Sequence, residues 1–125
     1  MKVLVVDDNP DVRRLMAEML LNIGAVPVAC DGGSRALECY RREWPDIVFM
    51  DIAMPEMDGL EATQQICSID GEACIYIVSA YSDDMLRRAA KAAGASGYYL
   101  KDNLDPLLAK VRRRVNDGHY RRYRN

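Results

Sequence analysis

The chain has 125 residues, of which 50% are hydrophobic and 29% are charged. This length and apolar content predict one globular domain that can bury a core without disulfides or a structural metal. The four cysteines form no C-x-x-C pair and there is one histidine, so neither a zinc site nor a disulfide framework is indicated. No stretch is long and apolar enough for a signal peptide or a membrane span, and we expect a cytoplasmic protein.

The formal net charge of -2 is unevenly distributed along the chain. Residues 112–125 carry six arginines and one aspartate, a local charge of +5, which leaves -7 for the rest of the chain. We interpret the arginines as a solvated helix face and residues 118–125 as a basic tail or the start of a linker. Because this stretch has no fold of its own, contact with nucleic acid is the weaker interpretation.

Five apolar runs of strand length alternate with five amphipathic stretches of helical period. The predicted strands span residues 2–6, 25–30, 45–50, 73–79 and 96–100. Residues suited to capping a helix are Asn9, Asp58, the run Ser82-Asp83-Asp84 and Asn103. In the fourth helix the pattern predicts an inner face of Met85, Ala89, Ala92 and Ala93, most of it small, so this helix should bury little per residue.

This alternation predicts a doubly wound α/β domain, in which a parallel sheet is covered on both faces by right-handed crossovers. Periodicity alone does not determine the strand order. A flavodoxin-like order, 2-1-3-4-5, would place the first, third and fourth strands side by side.

Polar residues stand where four of the predicted strands end. Asp7 and Asp8 follow the first strand, Asp51 the third, Ser79 closes the fourth and Lys101 follows the fifth. In open α/β sheets ligands bind outside the carboxyl ends of the strands, so these five side chains should share one pocket.

The charges of this pocket predict its ligands. Two carboxylates about 4 Å apart repel by roughly 4 kcal/mol at an effective dielectric constant near 20, so three of them need a proton or a cation between them. Oxygen ligands suit Mg²⁺ or Mn²⁺, and Mg²⁺ in proteins usually also binds a phosphate oxygen. A carboxylate beside such an ion can attack phosphorus, while Lys101 and Ser79 hold the other phosphoryl oxygens.

Four segments carry a family resemblance. They are Val5-Val6-Asp7-Asp8-Asn9, Met50-Asp51-Ile52-x-Met54-Pro55-x-Met57-Asp58-Gly59, Ser79-Ala80 and Gly97-Tyr98-x-x-Lys101. In this order and at these spacings they resemble the receiver domain of two-component response regulators, the CheY-like phosphorelay proteins. The resemblance covers residues 2 to 117, which we interpret as a receiver domain spanning residues 1–117.

The resemblance implies a role for each matching position. Asp51 would accept the phosphoryl group, and Lys101 and Ser79 would contact it. The metal would be held by Asp51, by Asp8 directly, by Asp7 through water and by the backbone carbonyl of Ala53. Tyr98 would act as an aromatic switch, and Ala80 would keep the approach to phosphorus open. Receivers commonly have a cis proline after this lysine, whereas here Asp102 follows it.

The implied function is a signalling switch that catalyses only its own phosphorylation and dephosphorylation. Its partners would be a sensor histidine kinase or a histidine phosphotransfer protein, and then a downstream protein, an output domain or a second copy of the chain that reads helix 4, strand 5 and helix 5. Two alternatives are a Mg²⁺-dependent phosphohydrolase working through an aspartyl phosphate and a pseudo-receiver that only binds partners. A phosphohydrolase of this kind would be expected to have a D-x-D pattern after the first strand, where this sequence has Asp7-Asp8-Asn9. A pseudo-receiver would be expected to lack one of the acids or the lysine, and all of them are present here.

Overall fold

The computed structural model describes residues 1–53 and 58–118, and in them five strands alternate with five helices. The strands are β1 (Lys2–Val6), β2 (Val26–Cys30), β3 (Ile47–Asp51), β4 (Ile75–Ser79) and β5 (Gly97–Leu100), and the helices are α1 (Pro10–Asn22), α2 (Gly33–Glu43), α3 (Gly59–Ile69), α4 (Asp84–Ala93) and α5 (Asp105–Asp117). The predicted alternation is confirmed, with strand bounds within two residues of those expected. Motif residues 54–57 and tail residues 119–125 lie outside the described residues.

The strands form one parallel sheet in the order β2-β1-β3-β4-β5, which confirms the flavodoxin-like topology. The register pairs Val6 with Met50, Asp51 with Val78 and Ser79 with Leu100. Neighbouring strands therefore end level with one another, and the residues that follow them meet at one edge.

Successive side chains of the central strands pack alternately into two separate hydrophobic cores, one on each face of the sheet. Leu4, Val48 and Ile77 point to the face covered by α2, α3 and α4. Val5 and Phe49 point to the opposite face, which α1 and α5 cover. Because β1, β3 and β4 lie between helices on both faces, they are apolar at almost every position, and this explains why their sequences show no alternation.

The inner face of α4 differs from the predicted one by a rotation of about one residue. Asp83 caps the helix as expected, accepting hydrogen bonds from the backbone of Met85 and Leu86. However, Met85 is 76% exposed, and the residues facing the core are Leu86, Ala89, Ala90 and Ala93. Alanines span a broad arc of this helix, from Ala92 round to Ala90, so the sequence does not indicate which part of that arc is buried.

The prediction that Asn103 caps α5 was also wrong. The residue in the capping position is Leu104, which makes no side-chain capping bond and instead packs into the core with Leu107 and Val111. The peptide bond between Lys101 and Asp102 is trans, as are all those among the described residues.

The edges of the sheet are β2 and β5. β2 carries Pro27 at its second position, paired with Val3 of β1, and β5 has four residues. Among the helices that the structure describes, none has both the length and the apolarity needed to cross a membrane.

Candidate functional site

The five polar residues predicted to share a pocket do meet at the carboxyl edge of the sheet. Asp7, Asp51 and Ser79 are buried, whereas Asp8 is exposed and Lys101 is partly exposed. The loop that carries Lys101 is tied to the sheet, because the Lys101 backbone N–H donates to the Ser79 carbonyl at 2.8 Å. Strand order thus brings together groups from four separate segments.

The Lys101 ammonium lies between two carboxylates. Its Nζ is 3.0 Å from Asp7 Oδ2 and 3.3 Å from Asp51 Oδ1. Burial works against the charged ammonium, but the hydrogen bond to Asp7 and the charges of Asp51 and Asp7 outweigh it, so the pKa of Lys101 is raised. The lysine is therefore fully charged at neutral pH, and its pairing stabilises the fold until the pH rises through that raised pKa.

One positive charge does not neutralise this site. Asp7, Asp8 and Asp51 each place a carboxylate oxygen within 4.8 Å of the others. Burial and the neighbouring charge of Asp7 raise the pKa of Asp51, and Lys101 and the Ala53 backbone only partly oppose this. The cluster consists of hard oxygen donors with excess negative charge, two of them on buried residues, which fits a divalent ion such as Mg²⁺.

Asp7 is held in place through its backbone and its side chain. Its N–H donates to the Cys30 carbonyl at 3.2 Å, its Oδ1 accepts from the Asn9 N–H at 2.9 Å, and its carbonyl accepts from Arg13 Nη1 at 2.7 Å. Sequence reasoning did not single out Arg13. Its position in the first turn after the acidic pair is the signal that could have identified it.

Ser79 and Tyr98 are connected through the backbone of Tyr81. The Tyr81 N–H donates to Ser79 Oγ at 3.0 Å, and the Tyr98 hydroxyl donates to the Tyr81 carbonyl at 2.6 Å. The Arg87 guanidinium of α4 lies over the Tyr98 ring, 4.6 Å from its centroid. A continuous set of contacts therefore runs from the pocket to α4.

Gly59, the first residue of α3, approaches the strand end that carries Asp51. A Cβ atom at Gly59 would lie 1.9 Å from the Asp51 carbonyl oxygen and 2.9 Å from Met50 Cγ. The glycine is therefore required by the close approach of helix and strand. Ala53 and Ala80, which follow the strand ends that carry Asp51 and Ser79, are both exposed.

We expect Asp51→Asn to stabilise the protein in the absence of metal by roughly 1 kcal/mol at pH 7, because it removes a repelling buried charge. The folded state holds the Asp51 proton more tightly than the unfolded state does. The protonated Asp51 carboxyl therefore stabilises the wild-type fold at acid pH, and this stabilisation is lost as the pH rises through the raised pKa of Asp51. Urea unfolding of both proteins at several pH values should show the advantage of asparagine growing from acid to neutral pH. An asparagine variant that is less stable at pH 7 would contradict the crowded-site interpretation.

The sequence profile of the response regulator receiver domain matches residues 3–112 of this chain. The chain belongs to the response regulator receiver family. It is 35% identical over 117 residues to the chemotaxis protein CheY of Bacillus subtilis, covering 92% of this chain and 98% of CheY.

Solved receivers share the fold of this chain. The response regulator TrrA of Thermotoga maritima, solved in complex with Mg²⁺ and beryllium fluoride, gives a TM-score of 0.81 at 34% identity, covering 90% of this chain and 96% of TrrA. The beryllofluoride-activated receiver domain of RstA from Klebsiella pneumoniae gives 0.82 at 32% identity, with coverage of 90% and 96%. The profile match and these relatives confirm the family predicted from the motifs. Receivers act as signalling switches.

Proposed function

We propose that this receiver takes a phosphoryl group onto Asp51 from a sensor histidine kinase or a histidine phosphotransfer protein in the cytoplasm. The observation that carries the proposal is the Lys101 ammonium, within 3.3 Å of Asp51 and 3.0 Å of a second buried acid, Asp7. A cation fixed at that point by two carboxylates is suited to meet a phosphoryl group arriving on one of them.

The chemical step needs few groups. An Asp51 carboxylate oxygen attacks phosphorus, the bond from phosphorus to the donor atom breaks with its electron pair leaving on the donor, and an aspartyl phosphate remains. The Lys101 ammonium then pairs with a phosphoryl oxygen, and the Ser79 hydroxyl can donate to another. The exposed, small Ala80 leaves room for the donor to approach.

Mg²⁺ or Mn²⁺, when bound, neutralises charge on the acids and on the incoming phosphoryl oxygens. We assign it to the carboxylates of Asp7, Asp8 and Asp51 and to the Ala53 backbone carbonyl. The oxygen cluster of the three acids and the structure of TrrA with Mg²⁺ and beryllium fluoride support this assignment.

Incubation with Mg²⁺ and acetyl phosphate should increase the mass of the protein by one phosphoryl group, since this small donor supplies the group without a kinase. Asp51→Asn and metal chelation should each abolish the increase in intact mass. Asp102→Asn, an exposed neighbour of Lys101, is the matched control and should be modified normally.

Three results would overturn the proposal. Modification that persists in Asp51→Asn or without metal would place the chemistry elsewhere. Sustained release of phosphate from an unrelated phosphomonoester would indicate a phosphohydrolase. Failure of wild-type protein to be modified, together with failure to bind beryllofluoride, would indicate a pseudo-receiver.

The output surface that we propose consists of α4, β5 and α5, read by a downstream protein, an output domain or a second copy of the chain. Tyr98 connects it to the site, because movement of Ser79 toward the phosphoryl group would disturb the Tyr81 backbone that both contact. Alanines dominate the inner face of α4, so little apolar area holds it in place. We assign residues 1–117 to the receiver and residues 118–125 to a basic tail or linker.

Amide hydrogen exchange with and without beryllofluoride and Mg²⁺ should show protection changes concentrated in residues 79–108. A shift of a few kcal/mol between two arrangements of this surface is enough to change which partner binds. Changes confined to the loops of Asp8 and Asp51 would mean that the site binds phosphate without passing a signal to α4.

A further inference from the structure

Two buried cysteines touch each other on the α2 side of the sheet. Cys30 is the last residue of β2 and Cys39 lies in α2, and their sulfur atoms are 3.0 Å apart. Both are free thiols, exposed by only 3% and 6%. The sulfurs are about 1 Å farther apart than the roughly 2.05 Å of a disulfide bond, so a small side-chain movement would join them.

The pair lines an open cleft of about 410 Å³. Arg13, Arg35 and Arg42 line the same cleft, with Asp31 and Glu38. Although little of either sulfur is exposed, the cleft gives a small reagent a path to them. The phosphoryl chemistry at Asp51 uses neither cysteine.

The two sulfurs have different surroundings. Arg42 Nη2 lies 3.7 Å from Cys39 Sγ, which places a positive charge beside the sulfur and favours the negative thiolate that it must form before it attacks. Cys30 Sγ instead lies 3.5 Å from the Gly32 carbonyl oxygen, a partner that does not favour negative charge on that sulfur. Cys39 is thus the better attacking sulfur, and Cys30 is placed to react second.

We propose that Cys30 and Cys39 are a thiol–disulfide pair that small hydroperoxides oxidise. The Cys39 sulfur attacks the peroxide, the O–O bond breaks, and a sulfenic acid and one molecule of alcohol or water form. The Cys30 sulfur then attacks the Cys39 sulfur, and the hydroxyl group leaves with the Cys30 proton as water. The two electrons lost by the sulfurs reduce the peroxide, and a dithiol reverses the change by exchange.

Reduced full-length protein treated with hydrogen peroxide, unfolded in an alkylating reagent and mapped by mass spectrometry tests this proposal. We expect a Cys30–Cys39 link as the first product, with Cys67 and Cys74 alkylated, and full recovery of four thiols after dithiothreitol. Cys39→Ala should slow oxidation of Cys30 at least tenfold, whereas Cys30→Ala should leave Cys39 as a trappable sulfenic acid. The matched control, Cys67→Ser, should form the link at the wild-type rate.

Oxidation of Cys67 or Cys74 before the buried pair would overturn the proposal. A link that forms only after the protein is unfolded would do so as well, and this wild-type measurement does not depend on whether any variant folds.

Discussion

Replacement of Gly59 by alanine should destabilise the protein by about 3 kcal/mol or more, beyond the usual cost of one added methyl group in a packed core. The new Cβ would stand 1.9 Å from the Asp51 carbonyl oxygen and 2.8 Å from the Asp51 carbonyl carbon. Both are backbone atoms of a central strand, which cannot move aside as the end of a side chain can. The Gly59 N–H also donates to the Ile52 carbonyl at 3.0 Å, so the start of α3 is held on the strand end that it would need to leave.

Urea unfolding measures this loss, and Gly71→Ala is the matched control. No atom outside its chain neighbours lies within 4 Å of a Cβ built at Gly71, so that variant should stay within about 0.5 kcal/mol of wild type. Any Gly59→Ala protein that remains folded should also accept a phosphoryl group from acetyl phosphate more slowly, because the clash displaces Asp51. Equal stability of the two variants would mean that α3 can shift without cost.

Lys101→Met should cost about 2 kcal/mol or more at neutral pH, since removing one partner of a largely buried ion pair leaves the other charges uncompensated. Two acids lose their cation here, Asp7 at 3.0 Å and Asp51 at 3.3 Å. Without Lys101 the pKa of Asp51 should rise further, because Lys101 is the main charge that lowers it. Stability that depends on the protonated carboxyl is lost as pH rises through the raised pKa, so the deficit of the variant should shrink toward acid pH.

Thermal melts with and without Mg²⁺ give a second measure of the same effect. A divalent ion replaces the missing positive charge, so Mg²⁺ should raise the melting temperature of Lys101→Met more than that of wild type. Lys91→Met, at an exposed position of α4, is the control and should change stability by no more than about 0.5 kcal/mol. A Lys101→Met protein that matches wild type at neutral pH would show that solvent screens the two acids well.

Much of the site could be predicted because it depends on strand ends. An apolar run that stops at an acid or a hydroxyl marks where the chain leaves the sheet, and parallel order then brings Asp7, Asp51, Ser79 and Lys101 to one edge. The family motifs identify the same four residues as members of the site. The prediction therefore needed the order of the strands but no detail of side-chain packing.

What sequence reasoning missed depends on packing between distant elements. The inner face of α4 was predicted with Met85 inside because alanines cover a broad arc of the helix and do not mark which part of it is buried. Leu104 rather than Asn103 occupies the capping position of α5 and packs into the core, which a capping preference cannot anticipate. The contact of Cys30 with Cys39 joins a strand end to a helix whose mutual approach is not encoded in spacing.

The proline in the outer strand β2 bears on how the sheet meets other molecules. The Val26 N–H donates toward β1, to the Met1 carbonyl, so by alternation the backbone of Pro27 faces the open side of the sheet. Proline has no N–H, and the free edge therefore lacks a donor at the second position of the strand. At the other edge, β5 offers only four residues. Both borders are thus poor templates for an added strand, which protects a sheet this rich in valine and isoleucine from edge-to-edge aggregation.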